Sequence, residues 1–361
     1  MMESFQNKTG LLLGNGVNLL DSTQSVSWAK LLNQIKKQYN INVDIDNEFK
    51  PFPIGFEEML HLKEGGNTLD SKLKNLKQTI KSIIDQQLRN KDGFNEYHSQ
   101  LAKLGYNDIL TTNYDYALEL SVSNAFYINK KKYALNKSEI KFSLKRHYGG
   151  FESTRSNIWH IHGELKSSRN ISVNSKQYLE ESIMIGYEHY SAYLELIQEN
   201  INGKKGKKTA EYPSLISRIK NKTIGIFWTD MLFTHNIDII GLGLDFSENH
   251  LWWILNRRAM LMRNNELHNS NNDVQINNFI NYYYPDIQDE YTIKANDKDA
   301  LSNLLKKINL FNKTKAIAEV LKSFKVIPKP IKCKTHQEFY DKFIKLKRIE
   351  LNTSGNLYAI H

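Results

Sequence analysis

Short apolar runs alternate with stretches of helical periodicity along much of the chain. Four of the apolar runs predict buried strands, at Thr9 to Leu13, Asp108 to Thr112, Ile158 to Gly163 and Ile237 to Leu242. Between them, apolar residues recur at steps of three and four, which predicts helices at about 28–35, 56–104, 116–123, 190–201 and 250–263. This alternation predicts an α/β fold with a mainly parallel sheet flanked by helices, and the block 56–104 predicts a helical insertion or cap.

The pattern is weaker in two other parts of the chain. Residues 166–223 predict a second helical insertion. Beyond it we expect a polar surface loop at Asn264 to Asp273 and a strand near Tyr291 to Lys294. Further helices are predicted at about 298–309, 314–324 and 335–348.

Composition limits what the chain can bind. It has 361 residues and a single cysteine, Cys333, so it can form neither an internal disulfide nor a zinc site that needs two cysteines. The net charge of +10 favours an anionic partner, such as a nucleotide, a nucleic acid or an acidic protein. No apolar stretch approaches the roughly 18 to 20 residues of a membrane span, and the start of the chain lacks a signal-peptide pattern. We therefore expect a cytoplasmic protein with no membrane partner.

A glycine turn follows the first predicted strand. It contains Gly14, Asn15, Gly16 and Asn18. Glycines at this place allow a tight turn and let backbone N–H groups approach a phosphate. The alternative is an ordinary turn from a strand into a helix.

A second glycine turn follows the strand at 237–242. Gly241, Gly243 and Asp245 lie there, directly before a predicted helix. They could line the ribose or the adenine of a nucleotide. The alternative is a turn in which Ser247 caps the helix.

Polar side chains gather at the end of the Asp108 strand. Thr111, Thr112, Asn113 and Asp115 offer hydroxyls, an amide and a carboxylate. Ligands collect at the carboxyl ends of strands in open α/β sheets, so a substrate could lie here. The alternative is that Asn113 and Asp115 cap the next helix.

Two histidines end the third predicted strand. His160 and His162 are two residues apart, so in a strand they would face the same side and could in principle share a metal. No third ligand lies at a telling spacing, and we predict no metal there. His162 precedes Gly163, which would leave its imidazole exposed with open space beside it.

Taken in order, these motifs resemble the sirtuin-like NAD-binding domain over roughly residues 9–260. The Thr-Thr-Asn-Tyr-Asp and Ile-His-Gly pair is the most specific part. The chain lacks the four-cysteine zinc module of the deacylases, and Thr112 stands where they have glutamine before Asn113. In both respects the chain differs from the protein deacylases and resembles the bacterial sirtuin-like proteins that consume NAD in antiviral defence.

The resemblance implies a role for each candidate residue. Gly14 and Gly16 would hold the pyrophosphate through backbone N–H groups. Asn113 would hold the ribose or position water, Asp115 would orient the nicotinamide side, and His162 would be the general base. The other positions expected to contact the nucleotide are Asn15, Asn18, Thr111, Thr112, Gly241, Gly243 and Asp245.

The resemblance also implies a Rossmann-like NAD glycohydrolase. Residues 1–265 would form the catalytic domain, and 266–361 a small α/β or helical extension. NAD would be the substrate, with no cofactor and no zinc, and the activity would be gated by a homo-oligomer or a regulatory partner in abortive infection. The alternatives are a nucleotide-sensing or nucleic-acid-binding subunit without catalysis and an NAD-dependent protein deacylase.

Overall fold

A computed structural model gives the fold of the chain. It describes residues 8–20, 27–45, 50–66, 68–88, 93–123, 143–164, 183–203, 213–245, 248–268, 274–287 and 298–356. Within these residues a seven-stranded, mostly parallel sheet is flanked by helices, which is a Rossmann-like α/β fold, as the alternating pattern predicted.

The strands run in the order β3-β4-β2-β1-β5-β6-β7 across the sheet. β3 pairs with β4 antiparallel, and the other neighbouring strands pair in parallel. The strands are β1 (Thr9–Leu13), β2 (Asp108–Thr111), β3 (His147–Tyr148), β4 (Asn157–His160), β5 (Asn236–Ile240), β6 (Ile280–Ile287) and β7 (Ile327–Cys333).

Eleven α-helices lie in the described part of the chain, and a short 3₁₀ helix at Asn15–Leu20 follows β1. They are α1 (Trp28–Tyr39), α2 (Phe52–Leu62), α3 (Leu69–Leu88), α4 (Glu96–Ala102), α5 (Ala117–Val122), α6 (Tyr187–Asn202), α7 (Leu215–Lys220), α8 (Trp228–Thr234), α9 (Asn249–His268), α10 (Lys298–Ser323) and α11 (His336–Asn356). None of them combines the length and apolar character that a membrane span needs.

The sheet is buried on both faces. One core contains residues of α6, α8, α9 and α10, and a second contains residues of α4, α5 and α11. Leu11 and Leu13 belong to the second core, whereas Leu12 belongs to the first. This double burial explains why Leu11, Leu12 and Leu13 follow one another without a polar residue, because side chains on both faces of a covered parallel strand are apolar.

The first three helices form a helical cap with a core of its own. Leu32 of α1, Met59 of α2 and Ile80 of α3 are buried together in it. The side chain of Ser27 accepts a hydrogen bond from the Lys30 backbone N–H at 3.2 Å and so begins α1, as expected of an N-cap serine. The helices predicted within 56–104 therefore divide, because α4 leaves the cap and packs on the sheet.

The predicted C-terminal elements need several corrections. α9 continues to His268, so the loop predicted from Asn264 begins later than expected. The two helices predicted at 298–309 and 314–324 are one helix, α10. The strand predicted near 291–294 and the Gly203 to Lys208 loop region fall wholly or largely outside the described residues.

The pattern did not predict β6 and β7, which extend the sheet beyond β5. β7 contains Pro328 and Pro330, and β6 contains Pro285 and Asp286. Proline removes a backbone donor and is tolerated at a sheet edge, where β7 lies in the described sheet. The chain after residue 265 thus continues the same sheet, while its status as a separate domain stays a prediction.

Candidate active site

A cleft lies between the helical cap and the carboxyl edge of the sheet. It encloses about 760 Å³ of empty space when the solvent at its open mouth is included. The cap supplies apolar walls through Trp28 and Ile84. Six predicted site residues line the cleft, namely Asn15, Asn18, Thr112, Asn113, Asp115 and His162.

Asn113 follows β2 and is fixed through its backbone. Its N–H donates to the Thr111 hydroxyl at 3.0 Å, and its carbonyl oxygen lies 3.1 Å from Nδ1 of His160. The side-chain Oδ1 is buried, and no described residue donates to it. The amide side chain is therefore left for a ligand.

Asp115 serves both the turn before α5 and the cleft. Its Oδ1 accepts from the Ala117 backbone N–H at 3.0 Å, which forms an Asx turn just before α5. Its Oδ2 accepts from the Asn18 side chain at 2.9 Å. The N-cap of α5 is Tyr116, without a side-chain capping bond, so Asp115 lines the cleft and supports the turn but is not the helix cap.

A polar chain crosses the floor of the cleft and includes a residue that the sequence did not single out. Nδ1 of His98 accepts from the Asn95 backbone N–H at 3.1 Å, so Nε2 carries the hydrogen and donates to Asn18 Oδ1 at 2.8 Å. Burial lowers the pKa of His98 to about 4, which keeps the ring neutral. The only local signal for His98 was its place three residues after a helix-capping asparagine.

His160 and His162 do not face the same site. β4 ends at His160, and His162 lies in the following turn, which breaks the two-residue alternation that the sequence assumed. Nε2 of His160 lies 2.8 Å from the Glu119 carboxylate. Burial lowers the pKa of His160, but Glu119 and its other partners outweigh burial and raise it above the usual value. His160 is thus a buried ion-pair partner that holds Asn113, and it does not share a metal with His162.

His162 instead meets Glu248, which directly precedes α9, and His250 in the first turn of α9. Its Nε2 lies 2.9 Å from Nε2 of His250 and 3.4 Å from Oε2 of Glu248. Burial lowers the pKa of His162 to about 3, and burial together with the Asp245 charge raises that of Glu248 to about 8. Burial and His162 also lower the pKa of His250. All three groups are therefore neutral near pH 7.

The three ligand atoms of this cluster lie within 4.8 Å of one another, so the cluster could hold a metal ion. The sequence argument against a metal was that His162 has no third ligand nearby. That argument does not hold in three dimensions, because Glu248 and His250 are supplied by a distant segment of the chain. No short-range spacing could have revealed them.

The first glycine turn is hydrogen-bonded to the end of β5 and to the second glycine turn. The N–H of Gly14 donates to the Ile240 carbonyl at 3.0 Å, and that of Gly16 to the Gly241 carbonyl at 2.8 Å. A pyrophosphate would have to compete with these carbonyls for both donors, and the expectation that Gly14 and Gly16 hold it stays a prediction. A Cβ on Gly14 would lie 2.3 Å from the Gly241 oxygen, so glycine is needed there for the close approach of two backbone turns.

The remaining predicted positions do not line the cleft. Thr111 is buried beneath Asn113. Asp245 pairs with Lys313 of α10 at the surface. Gly241 packs against Gly14, while an added Cβ on Gly243 would meet no described residue within 4 Å. Contact of these residues with a nucleotide stays a prediction.

Comparison with known protein families gives one match. Residues 107–215 are similar to the SIR2-like domain, and this segment contains both Asn113 and His162. The SIR2-like domain belongs to an NAD-dependent enzyme superfamily, so the match supports a sirtuin-like relationship and an NAD-related activity. No curated protein matches the chain.

Proposed function

We propose that this protein hydrolyses NAD to nicotinamide and ADP-ribose. The observation that carries the proposal is the convergence of Asn113 and His162, from the ends of two strands, in one cleft within a SIR2-like segment. Each residue type suits a step of this reaction, and the cleft offers both apolar walls and a polar floor. The proposed reaction requires no metal.

The first step is the departure of nicotinamide. The bond between the ribose C1′ and the pyridinium nitrogen breaks, and its electron pair goes to the nitrogen, so that nicotinamide leaves neutral. The ribose becomes an oxocarbenium-like cation. In the proposed pose, the Asn113 side chain contacts the ribose, and the dipoles of the Asn18–Asp115 pair face the cation. Such fixed dipoles stabilise developing charge without reorganising.

The second step is the attack of water on C1′. In the proposed step, Nε2 of neutral His162 exchanges its contact with His250 for a hydrogen bond from this water, and it takes the proton as the new C–O bond forms. Burial holds the pKa of His162 at about 3, so it is a weak base and contributes less than the roughly 10²- to 10⁴-fold of a base whose pKa matches the working pH. The proton then passes from the His162–His250 pair to solvent, which restores the starting state.

We further propose that the activity is gated and serves bacterial antiphage defence by abortive infection. An uncontrolled NAD hydrolase would kill its own cell, so a homo-oligomer or a regulatory partner must restrain it. This part rests on the likeness of the motifs to bacterial NAD-consuming proteins.

The test follows NAD and an acetyl-lysine peptide in one reaction. Purified full-length protein is incubated with both, alone and with extracts of phage-infected or uninfected bacteria as a source of activator. We expect equal amounts of nicotinamide and ADP-ribose, with the peptide unchanged and no faster reaction in its presence.

Two outcomes would contradict the proposal. Consumption of NAD that depends on the peptide, with one acetyl group transferred per nicotinamide, would assign a deacylase. Absence of NAD loss in every sample, together with salt-sensitive binding of nucleic acid, would favour a binding subunit without catalysis.

A further inference from the structure

The cluster at His162 joins two parts of the chain that are far apart in sequence. His162 lies in the turn after β4, whereas Glu248 directly precedes α9 and His250 lies in its first turn. His162 and His250 are almost completely buried, at 2% and 0% exposure. Two imidazoles and a carboxyl group therefore meet beside the cleft, which His162 and Glu248 help to line.

The hydrogen bonds of this cluster are incomplete. The two imidazoles share one hydrogen between their Nε2 atoms, which are 2.9 Å apart. Oε2 of Glu248 is buried 3.4 Å from the same His162 nitrogen, and no described residue donates to it. Buried polar atoms without partners are rare in folded proteins and point to a missing water or ion.

A divalent cation would satisfy these atoms together. Imidazole nitrogen and carboxylate oxygen are ligands of zinc, and sites with three protein ligands leave the fourth position open to water or a small molecule. Magnesium and calcium prefer sites made of oxygen ligands. The donor set of this cluster thus fits zinc and not the alkaline-earth ions.

We propose that His162, Glu248 and His250 bind one zinc ion, with a fourth position open to the cleft. Zinc-to-nitrogen distances near 2.0 Å require the two imidazoles to move apart slightly from their hydrogen-bonded separation. Nδ1 of His250 has no partner among the described residues, and ligands without such outer support bind metal about 10- to 100-fold more weakly. The bound zinc is therefore exchangeable, unlike a structural zinc.

Zinc at this place would switch the cleft off. The ion would occupy the nitrogen on which the proposed reaction depends and would stand where the attacking water must bind. This consequence rests on the proposed function, whereas zinc binding itself does not. The inhibition would be relieved by a chelator.

The binding test is calorimetric titration of chelator-treated, untagged full-length protein with zinc chloride. We expect one ion per chain, and no binding of magnesium. Glu248→Gln, which keeps the size of the side chain, and His250→Ala should each weaken zinc binding at least tenfold. His61→Ala, which removes an exposed histidine of α2, should bind zinc as the unchanged protein does. Circular dichroism identifies any variant that fails to fold.

The activity test adds zinc to the same chelator-treated protein during NAD cleavage. Loss of nicotinamide release in proportion to zinc bound, reversed by chelator, supports the proposal. Absence of stoichiometric zinc binding, or binding unchanged in both folded cluster variants, would overturn it. Bound zinc that leaves NAD cleavage unchanged would overturn the inhibitory role. A protein that never cleaves NAD contradicts the proposed function alone, because the calorimetry still tests the zinc site.

Discussion

Asn113 is held by its main chain, while its side chain is left toward the cleft. Thr111 accepts from its N–H, and His160 contacts its carbonyl oxygen. A side-chain substitution at this residue therefore leaves both backbone contacts in place. His162 is held differently, because its ring nitrogen contacts the side chains of α9.

We predict that Asn113→Ala and His162→Ala each reduce NAD cleavage at least about 100-fold, since each removes a group proposed to position ribose or water. The measurement is nicotinamide release at matched thermal stability, under the conditions that activate the unchanged protein. Asn277→Ala is the control, because Asn277 is exposed and does not line the cleft. Unchanged turnover in both site variants would refute their catalytic assignment.

The buried His98 is expected to make the protein less stable in acid. Burial lowers its pKa to about 4, whereas the unfolded chain takes up this proton near pH 6.5. As the pH falls from about 6.5 to 4, His98 binds a proton in the unfolded state but stays unprotonated in the folded state. Its protonation therefore lowers the free energy of unfolding by up to about 3 kcal/mol. His98→Gln should reduce the difference in unfolding free energy between pH 7 and pH 4.5, measured with urea. An equal difference in the variant and the unchanged protein would remove His98 as the cause.

The two glycine turns act as one packing unit between β1 and β5. Their backbones bond through Gly14 N–H to Ile240 and Gly16 N–H to Gly241. Gly241 has φ of +65°, a left-handed conformation that suits glycine. The turns are adjacent because β1 and β5 are paired in parallel, so both strands end at the same edge of the sheet.

Gly14→Ala should lower the free energy of unfolding by about 1 to 3 kcal/mol. Its Cβ would lie 2.3 Å from the Gly241 oxygen and 2.5 Å from the Leu242 Cα, both backbone atoms that cannot rotate away. Gly243→Ala is the matched control, because no atom of the described residues lies within 4 Å of its added Cβ. Chemical unfolding of both variants measures the difference. Similar stability of the two would show that the turns separate at little cost.

Elements of the C-terminal segment pack against elements from earlier in the chain. β6 and β7 extend the sheet from β5, and α11 packs in the second core with α4. The Tyr340 hydroxyl lies close enough to touch an added Cβ on Gly16 or Gly241, and it has no hydrogen-bond partner among the described residues. Helix α11 thus supports the turns at the edge of the sheet.

Tyr340→Ala should therefore destabilise the protein by about 3 to 5 kcal/mol, as expected for removing a large buried aromatic side chain. Tyr340→Phe should leave stability equal or higher, because it removes only a buried hydroxyl without a partner. Urea unfolding followed by tryptophan fluorescence and by far-ultraviolet circular dichroism measures both. A separate early transition in Tyr340→Ala would show that the segment after residue 265 unfolds independently of the rest.

Local patterns were sufficient for the elements that are buried on both sides. β1, β2 and β5 were predicted from apolar runs such as Leu11 to Leu13, and α1 from its Ser27 cap and spaced apolar residues. β6 and β7 were missed because prolines and polar residues interrupt the apolar pattern that identifies a covered strand. Such strands form because a neighbouring strand offers hydrogen bonds, and that neighbour is not a local property of the sequence.

The candidate site shows the same division. Asn113, Asp115 and His162 could be selected in advance because they follow strands whose carboxyl ends share one edge. His98, Glu248 and His250 could not be selected in this way. They lie far from these residues along the chain, and a long separation in sequence does not show which residues are close in space. The sequence identified Gly14 and Gly16 as turn residues and predicted that their N–H groups bind a phosphate. In the structure these N–H groups donate to the Ile240 and Gly241 carbonyls, because the pairing of β1 with β5 places those carbonyls beside them and a buried N–H needs an acceptor.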